Sequence, residues 1–301
     1  MTTIGVFGGT GFLGRRLVQH LAAEGDTVRV AVRHADRARA ALRAAGLDRI
    51  TVFAADVRDQ ASVAAAVAGA DAVVDAVSAY IETGGLTFEA VHERGAAMLA
   101  REATAAGVTR FVLVSGIGAD PESTSAYIRA RGRGERAVQQ AFPGATIVRP
   151  SAMFGPGDAL FGTLADLARM LPVLPLIGGG HARLQPVYVE DVAEGIARIL
   201  ADPATAGRIY ELAGPSVYTM RELYNIVLRI MGKQRLLIPV PFAVAGLQAR
   251  LFELLPNPPL TIGQVDLLKA DNVASGLLPG LTELNIQPKE IKEVVPAYLA
   301  Y

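Results

Sequence analysis

Cysteine is absent from the 301 residues. That excludes a disulfide framework, a thiolate metal site and a cysteine nucleophile. Net charge is absent too: 29 basic side chains balance 29 acidic ones. Without a basic excess nothing points to a nucleic-acid partner. Histidine is scarce, and His20, His34, His92 and His181 show no metal-ligand spacing. They read as surface or core groups, and no metal is expected. No run of 18 apolar residues occurs, so no membrane-spanning helix is expected. No signal-peptide pattern precedes the first apolar strand, and there is no room for a transit peptide. A cytoplasmic protein is the resulting expectation.

Apolar residues make up 51% of the chain. A chain this long buries about 75% of its unfolded surface and needs no covalent staples. The organising stretch is Val6-Phe7-Gly8-Gly9-Thr10-Gly11-Phe12-Leu13-Gly14. An apolar strand precedes it and an apolar helical run, Leu17, Val18 and Leu21, follows. A dinucleotide pyrophosphate requires that order. The chain turns sharply out of the strand at a residue without Cβ. A second glycine lets the backbone approach the phosphates, and a third lets the helix pack on the strand. The helix N-terminus aims its N–H groups and positive dipole end at the anion. The Gly-x-x-Gly-x-x-Gly spacing resembles the extended and atypical branches of the short-chain dehydrogenase/reductase superfamily, which are NAD-dependent epimerase/dehydratase-like.

Strand-like and helix-like segments alternate to about residue 150, which predicts a parallel sheet covered on both faces. The fold class is α/β: a doubly wound Rossmann sheet with a smaller C-terminal α/β substrate lobe. The boundary falls between a dinucleotide-binding domain, residues 1–150, and a substrate or interaction lobe, residues 151–301, whose strands and helices partly return to the main domain. The pattern predicts one long helix over 86–106 and another over 125–142. It reads 172–180 as a mobile Pro/Gly loop. It places an amphipathic helix over 242–255, stopped by Asn257-Pro258-Pro259, and helices over 261–272 and 289–299.

Arg33 follows the second strand, where an NAD-binding fold usually carries Asp or Glu for the ribose hydroxyls. A guanidinium pairs with a 2′-phosphate that a carboxylate repels. With His34 and Arg37 adding positive potential, NADP(H) is favoured over NAD(H). Asp36 argues the other way, and Arg33 stacked on adenine or simply solvated is the alternative. Asp56 and Val57 are expected beside adenine. Ala76, Val77 and Ser78 are expected along the path to the nicotinamide.

The superfamily resemblance implies a Tyr with a Lys four residues on, on one helix face. The Tyr exchanges the substrate proton, and the Lys lowers its pKa and holds the nicotinamide ribose. Tyr127 matches, and Arg131 stands for the Lys. Ser115 ends the fifth strand, but Gly116 and Ile117 follow where further Ser or Thr would be usual. Two readings of Tyr127 stay open: a catalytic acid–base, or a helix-start tyrosine lining a nucleotide pocket without turnover. The resemblance also turns Pro150 and Met153 toward the nicotinamide, with Ser115, Tyr127 and Arg131. In the Gln185–Ala193 run, Asp191 is read as a helix-start residue.

The ending narrows the resemblance. Leu255-Pro256-Asn257-Pro258-Pro259-Leu260-Thr261, Gln264-Val265-Asp266-Leu267-Leu268-Lys269 and Asp271-Asn272-Val273 resemble bacterial relatives of the nucleotide-binding alpha-subcomplex accessory subunit of respiratory complex I. That resemblance implies tightly held NADPH and a place beside a quinone-reducing membrane complex, without established turnover. Three functions are carried forward. One is an NADPH-dependent oxidoreductase acting on a hydrophobic quinone- or isoprenoid-like molecule. Another is a nucleotide-loaded accessory protein of a respiratory complex. A third is a sugar-nucleotide epimerase or dehydratase, which the absent Lys disfavours. The segments 160–177 and 236–255 read as lobe core or as surfaces lying on a bilayer. The Arg129/Arg131/Arg133/Arg136 run reads as a solvated face, a phosphate contact or an anionic-lipid contact. Peripheral attachment at the inner face of the plasma membrane is therefore kept open.

Overall fold

The computed structural model describes residues 2–47, 50–253, 255 and 260–299. In chain order the first elements are β1 (Thr3–Phe7), α1 (Phe12–Ala23), β2 (Thr27–Val32), α2 (Ala35–Ala44), β3 (Thr51–Ala54), α3 (Gln60–Val67) and β4 (Ala72–Asp75). A π-helical turn (Glu89–Gly95) runs straight into α4 (Ala96–Ala105). Then come β5 (Arg110–Val114), α5 (Ala126–Ala141), β6 (Thr146–Pro150), β7 (Met153–Phe154), α6 (Ala159–Met170), β8 (Val173–Ile177), β9 (Arg183–Leu184), β10 (Val187–Tyr188) and α7 (Val189–Ala201). The remainder is β11 (Ile209–Leu212), β12 (Tyr218–Thr219), α8 (Met220–Ile230), β13 (Leu236–Val240), α9 (Phe242–Phe252), α10 (Ile262–Leu267), α11 (Ile291–Val294) and α12 (Pro296–Leu299).

The chain divides into two compact units. The first comprises residues 1–150, 189–212 and 277–286. Its seven-stranded sheet runs β11-β6-β5-β4-β1-β2-β3, with every neighbouring pair parallel. Strand order reverses between β1 and β4, where Phe7 stands opposite Asp75. Ligands of doubly wound sheets bind outside the carboxyl ends of the strands at that reversal. Near-continuous apolar strands such as Arg110–Val114 suit burial on both faces. One core cluster packs Phe7, Val73, Phe111 and Ile147 against Val63, Leu99 and Val138 of the covering helices. Glu135 of α5 takes a bidentate bond from Arg149 of β6, at 2.9 and 2.6 Å. That buried pair fixes the helix carrying Tyr127 against its strand.

The second unit comprises residues 151–188, 213–276 and 287–301. Its core joins Phe154, Phe161, Leu174, Leu223, Val227 and Ile291. The Thr219–Glu222 capping box opens α8. Asp271 pairs with Arg183, and the Asn272 side chain accepts from the Ala152 N–H.

Several local expectations need correction. The helix read over 86–106 begins as a π turn, because its first turn yields to close backbone neighbours: a Cβ on Gly134 would lie 1.8 Å from the His92 carbonyl oxygen. The loop read over 172–180 contains β8, paired in parallel with β13 along five residues. Its proline is tolerated because each strand of a two-stranded sheet has a free edge. The helix read over 261–272 ends at Leu267; residues 268–270 turn and bend, and the Asn272 N–H bonds the Arg183 carbonyl. The terminal helix read over 289–299 is two short helices, split at Pro296. The Asn257-Pro258-Pro259 stop lies outside the described residues. Among the described residues, no helix is long and apolar enough to cross a membrane.

Candidate functional site

The glycine loop leaves β1 at Gly8, whose φ of 78° belongs to the left-handed region. A Cβ there would also lie 2.7 Å from the Ala76 carbonyl oxygen, at the end of β4. At Gly14 a Cβ would meet the Gly8 oxygen at 2.2 Å, so α1 could not approach the loop with any larger residue. At Gly11 the space is open apart from that same oxygen at 3.2 Å. Gly11 caps α1 with no side-chain bond to the helix N–H groups. Thr10 and Gly11 are exposed, Gly8 and Phe12 are half-buried, and Gly9 and Leu13 are buried. The three glycines thus do three jobs, and the first N–H groups of α1 carry no side-chain cap. This cradle fits a pyrophosphate.

At the other end of such a ligand, Arg33 and His34 follow β2, both exposed. Asp36 is bonded by Arg39 at 2.7 Å, so its charge is matched locally. Asp56 receives the Arg58 guanidinium at 2.6 Å, and this bond is the main cause holding its carboxyl below the usual range, with Arg33 contributing. Val57 is core rather than lining: it is buried and faces Gly95. Ala76 and Val77 are half-buried against Gly8.

Tyr127 lies in the first turn of α5, and Arg131 one turn on, with its guanidinium 4.8 Å from the Tyr127 ring centroid. Both are buried. Arg131 also donates to the Ser78 hydroxyl at 3.1 Å. Ser115 is buried at the end of β5, with its N–H bonded to Val148. Its hydroxyl and the Arg131 Nε are buried without a partner. Such orphaned groups are costly unless something fills the gap, so they fit the polar nicotinamide–ribose end of the cofactor. Pro150 ends β6, and its carbonyl accepts from Ile117. Met153 belongs to β7 in the second unit, paired beside Val187.

The electrostatics favour a protonated phenol. Burial pushes Tyr127 well above the ordinary tyrosine value, and Arg131 offsets only part of that. Burial opposes the Arg131 charge, yet Tyr127 and Tyr80 outweigh it and hold the guanidinium above its ordinary value.

Four contributors escape a reading of the sequence. Tyr80 stacks on Tyr127, with ring centroids 5.6 Å apart. His92 meets the Tyr127 ring edge-on at 5.5 Å, and its Nε2 lies 3.0 Å from the Ala79 oxygen. Burial pulls His92 down to about 3, so it stays neutral. Asp75 is buried at the end of β4 and accepts from the Val77 N–H at 3.1 Å; burial pushes it up to about 7. Gly116 makes room for Arg131: a Cβ there would lie 3.0 Å from Nη1. The glycine after Ser115 and the arginine fifteen positions on are one signal, legible in the sequence only as a pair. The arginine run is no single patch. Arg129 and Arg133 bond the carbonyls of Ser123, Thr124 and Pro121, and Arg136 pairs with Glu122.

Fold, glycine cradle and the buried polar cluster at the strand ends together define a nicotinamide-dinucleotide-binding Rossmann protein. The model of the NAD(P)H-binding family matches residues 8–203. The chain is 35% identical to mitochondrial NADH dehydrogenase (ubiquinone) 1 alpha subcomplex subunit 9 of Arabidopsis thaliana, over 95% of this chain and 74% of that one. It is 33% identical to a ceramide reductase of Caulobacter vibrioides, over 86% of this chain and 81% of that one. Among solved structures, a dTDP-glucose 4,6-dehydratase of Streptomyces venezuelae superposes with a TM-score of 0.75 at 23% identity, over 99% of this chain and 95% of that one. The chain therefore belongs to the NAD(P)H-binding family and, within it, to the family of that respiratory-complex subunit.

Proposed function

We propose that the protein is an NADPH-dependent reductase of a carbonyl on a hydrophobic, lipid-like molecule. The observation that carries this reading is the buried Tyr127–Arg131 pair beside Ser78, at the carboxyl edge of the sheet. The loop from Gly8 to Gly14 would hold the pyrophosphate, Arg33 and His34 the adenosine ribose end, and Ser115 with Arg131 the nicotinamide end. When bound, the reduced cofactor supplies a hydride. Tyr127 gives its phenolic proton to the carbonyl oxygen, so hydride and proton together turn C=O into CH–OH. Arg131 keeps its charge and stabilises the phenolate left behind. The exposed Ser78 hydroxyl, which interacts with the phenol, returns a proton from solvent. The ceramide reductase relative supports a lipid-like substrate. Work on such a substrate belongs at a membrane surface, and we assign the protein to the inner face of the plasma membrane.

The test is NADPH oxidation with long-chain ketones and quinones. Tyr127→Phe should cut turnover by about 10²–10⁴-fold while bound nucleotide is retained. Unchanged turnover in that variant would remove Tyr127 from the chemistry.

A second reading, a nucleotide-loaded accessory protein of a respiratory complex, is favoured by the 35% identity to the alpha-subcomplex subunit and by Tyr80 lying over Tyr127. Tight NADPH retention, no oxidation with any acceptor and co-purification with a membrane complex would select it. The epimerase or dehydratase reading has support from the fold alone.

A further inference from the structure

Helix α9 is built inside out. It buries Ala245 and Ala249 against Val265 and turns its large aliphatic residues to solvent. Val244, Leu247 and Leu251 recur at spacings of three and four, which places them on one helix face. Leu247 is 62% exposed and Leu251 59%. Strand β13, which leads into this helix, exposes Leu236 and Ile238 on one side. Leu236 stands opposite Val173 of β8, also exposed, and Met170 just before β8 is 70% exposed. A water-soluble face gains nothing from such side chains, and scattered single exposures do not make a stripe.

The stretch of chain that leads into and carries this face has charge of one sign. Residues 223–252, between Glu222 and Glu253, contain Arg229, Lys233, Arg235 and Arg250 and no acidic residue, in a chain whose charges balance as a whole. Among the described residues none of the four makes an ion pair. Elsewhere in the same unit Arg183 and Lys269 are matched by Asp271 and Asp266. Arg235 spends its donors on the carbonyls of Ala168 and Gln234, which leave its charge intact.

We infer that the aliphatic face of α9 and β13 docks on a bilayer surface carrying anionic lipid. Leu, Val, Ile and Met enter the acyl boundary, while long basic side chains keep their heads among the phosphates. A second copy of the chain fits poorly, since self-pairing brings like charges together. A protein partner is disfavoured by chemistry: interface anchors are enriched in Trp, Tyr and Arg, and this stripe is aliphatic. The inference names the surface behind the membrane-side location proposed above and does not depend on turnover.

The test is vesicle flotation with the full chain, at equal lipid, on phosphatidylglycerol–phosphatidylethanolamine and on phosphatidylcholine. Binding to the anionic vesicles should exceed binding to phosphatidylcholine at least tenfold and fall with salt. Each of Arg229→Gln, Lys233→Gln and Arg250→Gln should lower it about fivefold. The double variant Leu247→Glu/Leu251→Glu should lose at least tenfold, with its melting curve and NADPH retention preserved as evidence of folding. No flotation of the unmodified chain, or equal flotation of the double variant, overturns the inference. So does gel filtration showing a dimer that the double variant makes monomeric, which assigns the face to a second copy. NADPH oxidation is followed in parallel on a short-chain, water-soluble ketone. Turnover without vesicle binding removes the docking face and leaves the site reading standing; vesicle binding with no turnover on this ketone or on the long-chain ketones and quinones above does the reverse.

Discussion

Asp75 sits at the point where strand order reverses, buried beneath the cluster that holds Tyr127. Burial raises its carboxyl from an ordinary value of 3.8 to about 7. A carboxyl raised in the folded chain binds its proton more tightly there than in the unfolded chain. Its stabilising contribution is full below the unfolded value and is lost as pH rises through the folded one. The window is therefore about pH 4 to about pH 7. Asp75→Asn keeps an acceptor for the Val77 N–H and removes the titration. Melting temperatures across that range should show the parent falling relative to the variant; a constant difference would show that Asp75 does not titrate there. At this scale the sequence brought Tyr127 and Arg131 together on one helix face, as the structure has them, because a one-turn spacing is a local signal. It hid Asp75, Tyr80 and His92, whose meeting with α5 depends on tertiary packing.

The π turn before α4 is a feature of two helices rather than one. Gly134 on α5 lets the His92 carbonyl approach, and Gly95 leaves room for Val57. His92 is thereby aimed at the backbone of Ala79, in the segment that brings Ser78 and Tyr80 to the site. Wide turns inserted into helices often accompany functional sites. Gly134→Ala puts a methyl 1.8 Å from a backbone oxygen, so one of the helices must shift. The expected loss is about 1–3 kcal/mol in chemical denaturation, with weaker retention of nucleotide. An unchanged midpoint would show that the two helices do not meet at this glycine. Apolar periodicity predicted one continuous helix here because it records which face is buried, not how closely another backbone passes. The same limit explains β8. Pro172 before it and Pro175 within it read as a loop, and only its pairing with β13 makes it a strand.

For the molecule as a whole, the alternation of strand-like and helix-like segments made the parallel sheet legible in the sequence, and the glycine spacing pointed to a nicotinamide dinucleotide. Residues 208–213 read as a strand, but their pairing with β6 as the seventh strand was not legible, because nothing local tells which edge β11 joins. A dinucleotide clasped by this sheet binds the folded chain alone and so must stabilise it. At a concentration one hundred times its dissociation constant the gain is about 2.7 kcal/mol, or several degrees in melting temperature. NADPH should raise the melting temperature more than NADH, and Arg33→Asp should reverse that order. Equal shifts for the two coenzymes in the parent chain would remove the preference assigned to Arg33.

The chain passes from one unit to the other at 150, 188, 212, 276 and 286. During synthesis, then, β6 leaves the ribosome with a bare outer edge, and β11 arrives to cover it only after 212 residues have been made. The last piece of the same unit, 277–286, follows later still, with the Pro279 carbonyl accepting from the Glu211 N–H. A nascent chain halted near residue 150 would carry the whole glycine cradle on an unfinished sheet. Expressing that half alone should yield a sticky, edge-exposed fragment, and a nucleotide-binding tag cut from this protein has to keep all three segments.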